Sequence, residues 1–474
     1  MSDLRPLLEP ESVAVIGASK DPAKSGGVLV GSLLRGDFPG RIFPVNPRAD
    51  EIQGLRVYPS IGDVPEPVDL AFIVVRRELV MESVVACADA GVKAVAIITA
   101  GFGEADEWGG AEQERLVRLV AERELLAIGP NTIGLVTMGG RHLGTFVDFP
   151  RWEDGPIAIA SQSGIFAGAL AQDVMALPAQ RLGIRHSVSI GNRIGVSETD
   201  LLDAYAADPA VGVIGFYLES FDDAPRFLAK AAEVKRTKPV VVVKPGRTER
   251  GAQAAVSHTG SLAADDKVVD QLLAQYGIVR AEDEEELIAF LRTFSQAPLP
   301  GGPRLGIVTF SGAMGVLATD FAVAEGLKLS SYSEPTQQRI QALLPGWQSV
   351  GNPADLWPAI DLDRRAAMLE GLCAALEDER TDQVLGILLA VANADFDEMR
   401  PAFTRLRAEH AGKPLHLVIR GTLRESWTST LDGLGIPIHT SLRLAVRAMA
   451  AATRHAAGRD RVPAAVELLQ EVSR

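Results

Sequence analysis

Short apolar runs alternate with longer amphipathic stretches along the first 138 residues. Residues 13–16, 41–45, 70–75 and 94–99 are mostly apolar on consecutive positions and rich in β-branched side chains. That pattern marks strands buried on both faces of a parallel sheet, with helices between them. It predicts one doubly wound βαβ domain over residues 1–138. The pattern closes near 134–136. Gly139, Gly140, Gly144, Pro150, Asp154 and Pro156 then read as a linker.

The alternation restarts with strands at 157–160, 188–190, 213–218 and 240–243 and helical stretches at 166–175 and 263–275, predicting a second α/β domain over 150–296. Gln296-Ala297-Pro298-Leu299-Pro300-Gly301-Gly302-Pro303 reads as an interdomain connection. Strands at 305–309, 384–389 and 415–419 belong to a third domain over 303–458, whose tail from Leu442 is Ala-rich and helical.

Composition narrows the class. A chain of 474 residues with 47% hydrophobic and 23% charged side chains supports two or three cores and is not a disordered protein. No apolar run reaches the length of a membrane span and the N-terminus lacks a signal-peptide core, so a soluble cytoplasmic protein is expected. Cys87 and Cys373 stand far apart and in no C-x-x-C pairing, which argues against a disulfide framework and a thiolate zinc motif. The net charge of −14 disfavours nucleic acid and membrane surfaces as partners, so an anionic ligand must be met by local cations or backbone amides.

Several strand ends carry residues suited to such a ligand. Val13-Ala14-Val15-Ile16-Gly17-Ala18-Ser19 leads through Lys24 and Ser25 into a helix start, where unpaired N–H groups accept phosphate. The spacing is not G-x-G-x-x-G, and glycines that merely permit a tight turn remain the competing reading. Lys24, Arg41 and Arg48 lie near strand ends, as basic residues of an ordinary solvated surface also do. The second strand runs into Pro44-Val45-Asn46-Pro47 without the acid that binds a nicotinamide ribose. Thr99-Ala100-Gly101-Phe102-Gly103 and Gly129-Pro130-Asn131-Thr132-Ile133-Gly134 mark further strand ends at the ligand edge of such a sheet. In the second domain, Ser161-Gln162-Ser163-Gly164 precedes an apolar helix and suits either an anion site or a plain N-cap.

The histidine of Ser257-His258-Thr259-Gly260-Ser261-Leu262-Ala263 sits in a small polar loop after the 240–243 strand and Lys244-Pro245-Gly246-Arg247. A neutral imidazole nitrogen accepts a phosphoryl group well when a carboxylate on the other nitrogen fixes its tautomer. Glu219, just past Phe216-Tyr217-Leu218, is a candidate for that carboxylate. The other histidines show no ligand spacing, so no metal site on side chains alone is expected, and no Walker-type loop is present. Trp347 and Trp357 flank Asn352-Pro353-Ala354-Asp355-Leu356 and are expected in the core rather than at an acyl site.

In their order, these motifs resemble the NDP-forming acyl-CoA synthetases, including the α subunit of ADP-forming acetate–CoA ligase and, more remotely, that of succinyl-CoA synthetase. Gly191-Asn192 joins the set. The resemblance implies an α/β protein: a Rossmann-like CoA-binding domain followed by two flavodoxin-like domains of the succinyl-CoA ligase type. It implies that acid, CoA and ATP are exchanged reversibly with acyl-CoA, ADP and phosphate through an acyl phosphate and a phosphohistidine. His258 and Glu219 would be catalytic. Coenzyme A would meet Gly17, Ala18, Ser19, Lys24, Ser25, Val45, Asn46, Pro47, Val74, Val75, Thr99, Gly101, Phe102 and Asn131, and phosphate would meet Ser161, Ser163, Gly164 and Gly260. ATP/ADP and Mg2+ would belong to an ATP-grasp β subunit in a homo- or hetero-oligomer, with a small carboxylic acid or acyl-CoA as substrate. Arg76-Arg77 departs from the family's proline and small residue after the third strand, and Thr132 stands where a cysteine is common. A non-catalytic CoA-binding or regulatory module is the alternative, one that has no need of the 257–260 loop or Glu219.

Overall fold

The computed structural model describes residues 3–147, 153–164, 166–168, 182–253, 265–359, 364–390, 396–431 and 433–461. They fall into two compact units. The first runs to Glu282, and the second begins at Asp283 and includes everything described beyond it.

The first unit holds two large sheets. In one, β1 (Ser12–Ile16), β2 (Arg41–Val45), β3 (Leu70–Ile73), β4 (Ala94–Ile97) and β5 (Leu126–Ile128) run parallel in the order β2-β1-β3-β4-β5. Every residue of β3 and β4 is buried, as expected where helices cover both faces. The covering helices are α1 (Ser25–Arg35), α2 (Val80–Asp89) and α3 (Glu107–Glu122).

The 134–145 segment is not a linker. It forms an antiparallel hairpin, β6 (Gly134–Thr137) and β7 (His142–Thr145), at the edge of the second sheet. The hairpin is buried on all eight strand residues, and a side chain at Gly144 would collide with the Phe72 ring of the first sheet. Gly144 therefore permits close packing, where the sequence pattern suggested a linker.

The second sheet continues with β8 (Ile157–Ser161), β9 (Ile184–Ser189), β10 (Val213–Tyr217), β11 (Val240–Val243) and β12 (Val279–Ala281), in the order β12-β11-β10-β8-β9-β6-β7. Its helices include α4 (Glu198–Ala207), α5 (Ala224–Val234) and α6 (Asp266–Gln275). One apolar core, including Leu7, Phe72, Leu135, Val188, Tyr205 and Phe216, runs under both sheets.

The second unit opens with α7 (Glu284–Gln296) and holds a third parallel sheet: β13 (Arg304–Thr309), β14 (Lys328–Leu329), β15 (Ala354–Asp355), β16 (Gln383–Leu389), β17 (Leu415–Arg420) and β18 (Ile438–His439). Its main path runs β14-β13-β16-β17-β18, with β15 on β13. Around it lie α8 (Gly312–Ala324), α9 (Glu334–Gln341), α10 (Arg364–Glu377), α11 (Phe396–Glu409), α12 (Arg424–Leu431) and α13 (Leu442–Gly458). Helix α7 packs with α13, where Glu286 pairs with Arg447 at 2.8 Å and Arg292 donates to the Ile438 carbonyl at 3.0 Å. Trp347 and Trp357 are not core residues: they are 76% and 46% exposed. Both lie in polar, Pro/Gly-punctuated loops.

Taking in chain order the parallel strands on the main path of each sheet, and leaving out β15, all three follow the order 2-1-3-4-5. In such a sheet ligands collect where the chain reverses direction, beyond the carboxyl ends of strands 1 and 3.

Candidate functional site

At the reversal point of the first sheet, β1 runs into Gly17 with φ of +88°, and a Cβ there would lie 2.2 Å from the Val74 carbonyl. Only glycine lets the turn lie this close to the end of β3. Gly17 N–H donates to the Val45 carbonyl at 3.1 Å and Val74 N–H to the Ile16 carbonyl at 2.8 Å, so the three strand ends are pinned together. Asn46 extends the link, its side-chain amide donating to the Ala18 carbonyl at 2.7 Å and its oxygen accepting from Arg48 N–H at 2.8 Å. Ser19 Oγ accepts from Asp21 N–H at 3.1 Å.

Helix α1 starts after Lys24 with no side-chain cap and no acid in its first turn. Its first N–H groups lack a side-chain acceptor, so the positive end of the helix dipole is available to an anion beside the exposed Lys24 and Ser25. Thr99 Oγ1 donates to the Val75 carbonyl at 2.7 Å, and Asn131 N–H to the Thr99 carbonyl at 2.9 Å, which brings Val75, Thr99 and Asn131 to the same edge.

Other predicted residues are already engaged. The N–H groups of Gly101 and Phe102 donate to the Glu104 carboxylate at 2.7 and 3.3 Å, and the Phe102 ring is buried. Of the two arginines after β3, Arg77 donates to Asp106 at 2.8 Å and to the Gly101 carbonyl at 3.2 Å, and lies over the Trp108 ring at 4.6 Å. Arg76 is exposed at the same edge.

The first and second sheets meet through a joint that sequence reading did not anticipate. Gly191 (φ +57°) lies so close to the Pro130 carbonyl that a Cβ would stand 2.3 Å from it. Asn192 N–H donates to that carbonyl and Gly129 N–H to the Ile190 carbonyl, both at 2.9 Å. The Asn192 side chain donates to Glu104 at 2.6 Å and to Gln113 at 2.8 Å. Although burial pushes the Glu104 pKa upward, bonds from Gly101 N–H and Asn192 bring it below the usual carboxylate value. A charged Glu104 thus ties the first sheet's edge to the second domain. Gly191-Asn192 stood out as a motif, but nothing in its spacing indicated this partner.

At the reversal point of the second sheet, Ser161 Oγ donates to the Ser163 carbonyl at 2.8 Å and accepts from Ser163 N–H at 3.1 Å. Ser163 Oγ accepts from Phe166 N–H at 3.3 Å, as an N-cap does. A Cβ on Gly164 would lie 2.8 Å from the Ile133 side chain, so this helix start abuts the end of the Asn131 loop. Gln162 Oε1 accepts from the N–H groups of both Glu219 and Ser220. Arg193 donates to the Ser220 carbonyl and to buried Glu198, each at 2.9 Å. These bonds hold the Glu219 backbone beside the Ser163 helix start.

Lys244, ending β11, is half-buried. Burial and the nearby Arg280 guanidinium lower its pKa, while Asp266 and Glu219 act in the opposite direction. Gln162, Arg193 and Lys244 were not predicted as site residues. Lys244 alone carried a signal, because it immediately follows a buried strand and precedes Gly246. His258 and Gly260 lie outside the described residues.

Residues 11–138 match the CoA binding domain family, and residues 154–294 match the succinyl-CoA ligase like flavodoxin domain. The ADP-forming acetate–CoA ligase II of Archaeoglobus fulgidus is 35% identical over 96% of this chain and 67% of its own length. The α subunit of ADP-forming acetate–CoA ligase I from Pyrococcus furiosus is 35% identical over 94% of this chain and 96% of its own. A solved structure described as the dinucleotide forming acetyl-coenzyme A synthetase 1 of Ca. Korarchaeum cryptofilum, with phosphate and ADP, superposes with a TM-score of 0.88. It is 33% identical, covering 97% of this chain and 98% of its own.

Proposed function

The chain belongs to the family of ADP-forming acetate–CoA ligases, and from that premise we propose that it is the α-type half of an acyl-CoA synthetase that carries phosphate on His258. The observation that supports this reading is the joint between Gly129-Pro130-Asn131 and Gly191-Asn192, which ties the strand ends of the first sheet to those of the second, where the Ser161–Gly164 helix start abuts Ile133.

The Gly17 turn, the α1 start and Lys24 suit coenzyme A, because the turn leaves no room for a side chain and the helix end is uncapped. Coenzyme A supplies the thiol leaving group. A phosphate oxygen attacks the acyl carbon, the carbon–sulfur bond breaks, and an acyl phosphate remains. A nitrogen of His258 then attacks phosphorus, the phosphorus–oxygen bond to the acyl group breaks, and the free carboxylate leaves. Glu219 holds the other imidazole nitrogen in its protonated tautomer and stabilises the positive charge that develops. The α-helix start at Ser163-Gly164 offsets the phosphoryl charge through its dipole. ADP accepts the phosphoryl group at an ATP-grasp site with Mg2+ on a partner β subunit, and the reverse sequence makes acyl-CoA.

The α-subunit name of the P. furiosus relative supports such a partner. So does an exposed apolar stripe on α8, where Val316, Leu317 and Val323 face solvent. No helix among the described residues is long and apolar enough to cross a membrane.

The test is labelling of the full chain by γ-labelled ATP in the presence of an ATP-grasp β subunit. Acid-labile, base-stable phosphate is expected on His258, and His258→Ala is expected to abolish both label and turnover. Label that persists in that variant places the carrier elsewhere.

A further inference from the structure

Outside this site, the third domain gathers three side chains of a different chemistry. Cys373 and Glu377 lie one turn apart near the end of α10, and His410 follows the last residue of α11. Cys373 Sγ is 3.2 Å from Glu377 Oε1 and 3.6 Å from His410 Nε2, and His410 Nε2 is 3.8 Å from the same carboxylate oxygen. We propose that Cys373, Glu377 and His410 form a binding site for a zinc-class divalent cation, with water in the fourth position.

The dimensions fit. Tetrahedral zinc takes bonds of about 2.3 Å to sulfur and about 2.0–2.1 Å to nitrogen and oxygen, which puts neighbouring ligand atoms roughly 3.3–3.6 Å apart. The observed triangle departs from this by a few tenths of an ångström. One thiolate, one imidazole and one carboxylate also match the borderline character of zinc rather than the all-oxygen preference of magnesium or calcium.

The surroundings fit as well. Arg339 pairs with Glu377 through Oε2, leaving Oε1 turned to Cys373 and His410, and it also donates to Glu370 at 2.8 Å. A ligand carboxylate oriented by a second-layer hydrogen bond is a regular feature of metal sites. Charge balances: the cation offsets the thiolate and Glu377, and Arg339 offsets Glu370. Without a cation, burial and the facing Glu377 raise the thiol pKa, outweighing the opposite pull of Arg339, so the sulfur holds its proton. Binding would release that proton and form the sulfur–metal bond. His410 and Cys373 are partly buried and Glu377 is about half exposed, so the site opens to water on one side. Occupied, it would staple α10 to the α11–β17 connection.

The measurement is a Co2+ titration of the full, metal-stripped chain. We expect one equivalent to produce a thiolate-to-cobalt charge-transfer band and the intense visible bands of tetrahedral Co2+, with Zn2+ displacing both. Cys373→Ser should abolish the charge-transfer band, His410→Ala should abolish tetrahedral binding, and Arg339→Gln should weaken affinity about 10–100-fold. His258→Ala should leave the spectra unchanged. Zn2+ should raise the melting temperature of the starting protein but not of Cys373→Ser, with far-ultraviolet dichroism showing that each variant is folded. Absence of the charge-transfer band, its survival in folded Cys373→Ser, or its loss in His258→Ala overturns the proposal.

Discussion

The second and third domains use nearly the same device where strand 1 passes into its helix, yet different side chains surround it in each. In the second, Ser161 bonds to both the N–H and the carbonyl of Ser163, whose hydroxyl caps the helix. In the third, Thr309 does the same for Ser311, with bonds of 3.1 and 2.9 Å, and Ser311 caps α8 by accepting from Met314 N–H at 3.4 Å. Both descriptions offered for Ser161-Gln162-Ser163-Gly164, anion site and N-cap, start from this geometry. The cap is therefore a property of the shared topology, and chemistry depends on what the neighbouring strand ends contribute.

Those neighbours differ sharply. Beside Ser163 stands Glu219, its backbone held through Gln162, and Lys244, just past β11, lies near Glu219 in turn. Beside Gly312 stands Asp355, whose carboxylate oxygen would lie 2.8 Å from a Cβ there. Asn352 fills the adjacent gap, donating to the Leu305 and Ser330 carbonyls and accepting from Ile307 N–H. The third domain's Asn-Pro-Ala-Asp motif thus packs against β13 and the start of α8. Its two strand histidines are shut away too. His416 and His439 stack at 5.3 Å in β17 and β18, where burial holds both neutral and depresses the pKa of His416 to about 3.

The contrast can be tested by breaking it at successive points. Glu219→Gln should slow turnover about 10–100-fold while CoA still raises the melting temperature, since it removes a group that orients another. Equal loss of both would mean that Glu219 supports the fold rather than the imidazole.

His416→Gln should leave turnover intact and change the pH dependence of stability. The unfolded chain binds a proton at His416 below about pH 6.5, whereas the folded chain resists it until about 3. Stability is therefore complete above that upper value and lost as pH falls between the two. The variant should be spared about 1.4 kcal/mol of loss per pH unit there, read from urea unfolding. A variant that follows the same slope would show that this imidazole is not held neutral.

Ser163→Ala and Ser311→Ala form the finest comparison. Each should cost about 1 kcal/mol of stability through the lost cap. Only Ser163→Ala should also lower turnover and phosphorylation of His258. Equal effects of the pair on turnover would erase the distinction drawn between the two helix starts.

How much was legible beforehand follows the same division. The Gly17 turn, the Ser161–Gly164 helix start and Asn131 could be read because each depends on a short stretch of chain with its own turn or cap chemistry. The two-residue strands β14, β15 and β18 escaped because so short a run carries no periodicity. The 134–145 hairpin escaped because Gly144 serves a contact with Phe72, not a local bend. Trp347 and Trp357 misled because aromatic character indicates burial only on average.

Considered alone, the order of residues determined three α/β repeats, their turn and cap motifs, and the candidate phosphoryl carrier, since backbone preference and hydrophobic period act over a few residues. Tertiary structure alone decided which side chains and chain ends meet: Asn192 with Glu104, Gln162 with Glu219, Cys373 and Glu377 with His410. Those partners are far apart in the chain or on separate elements. Their meeting depends on strand order and packing, which no local pattern encodes.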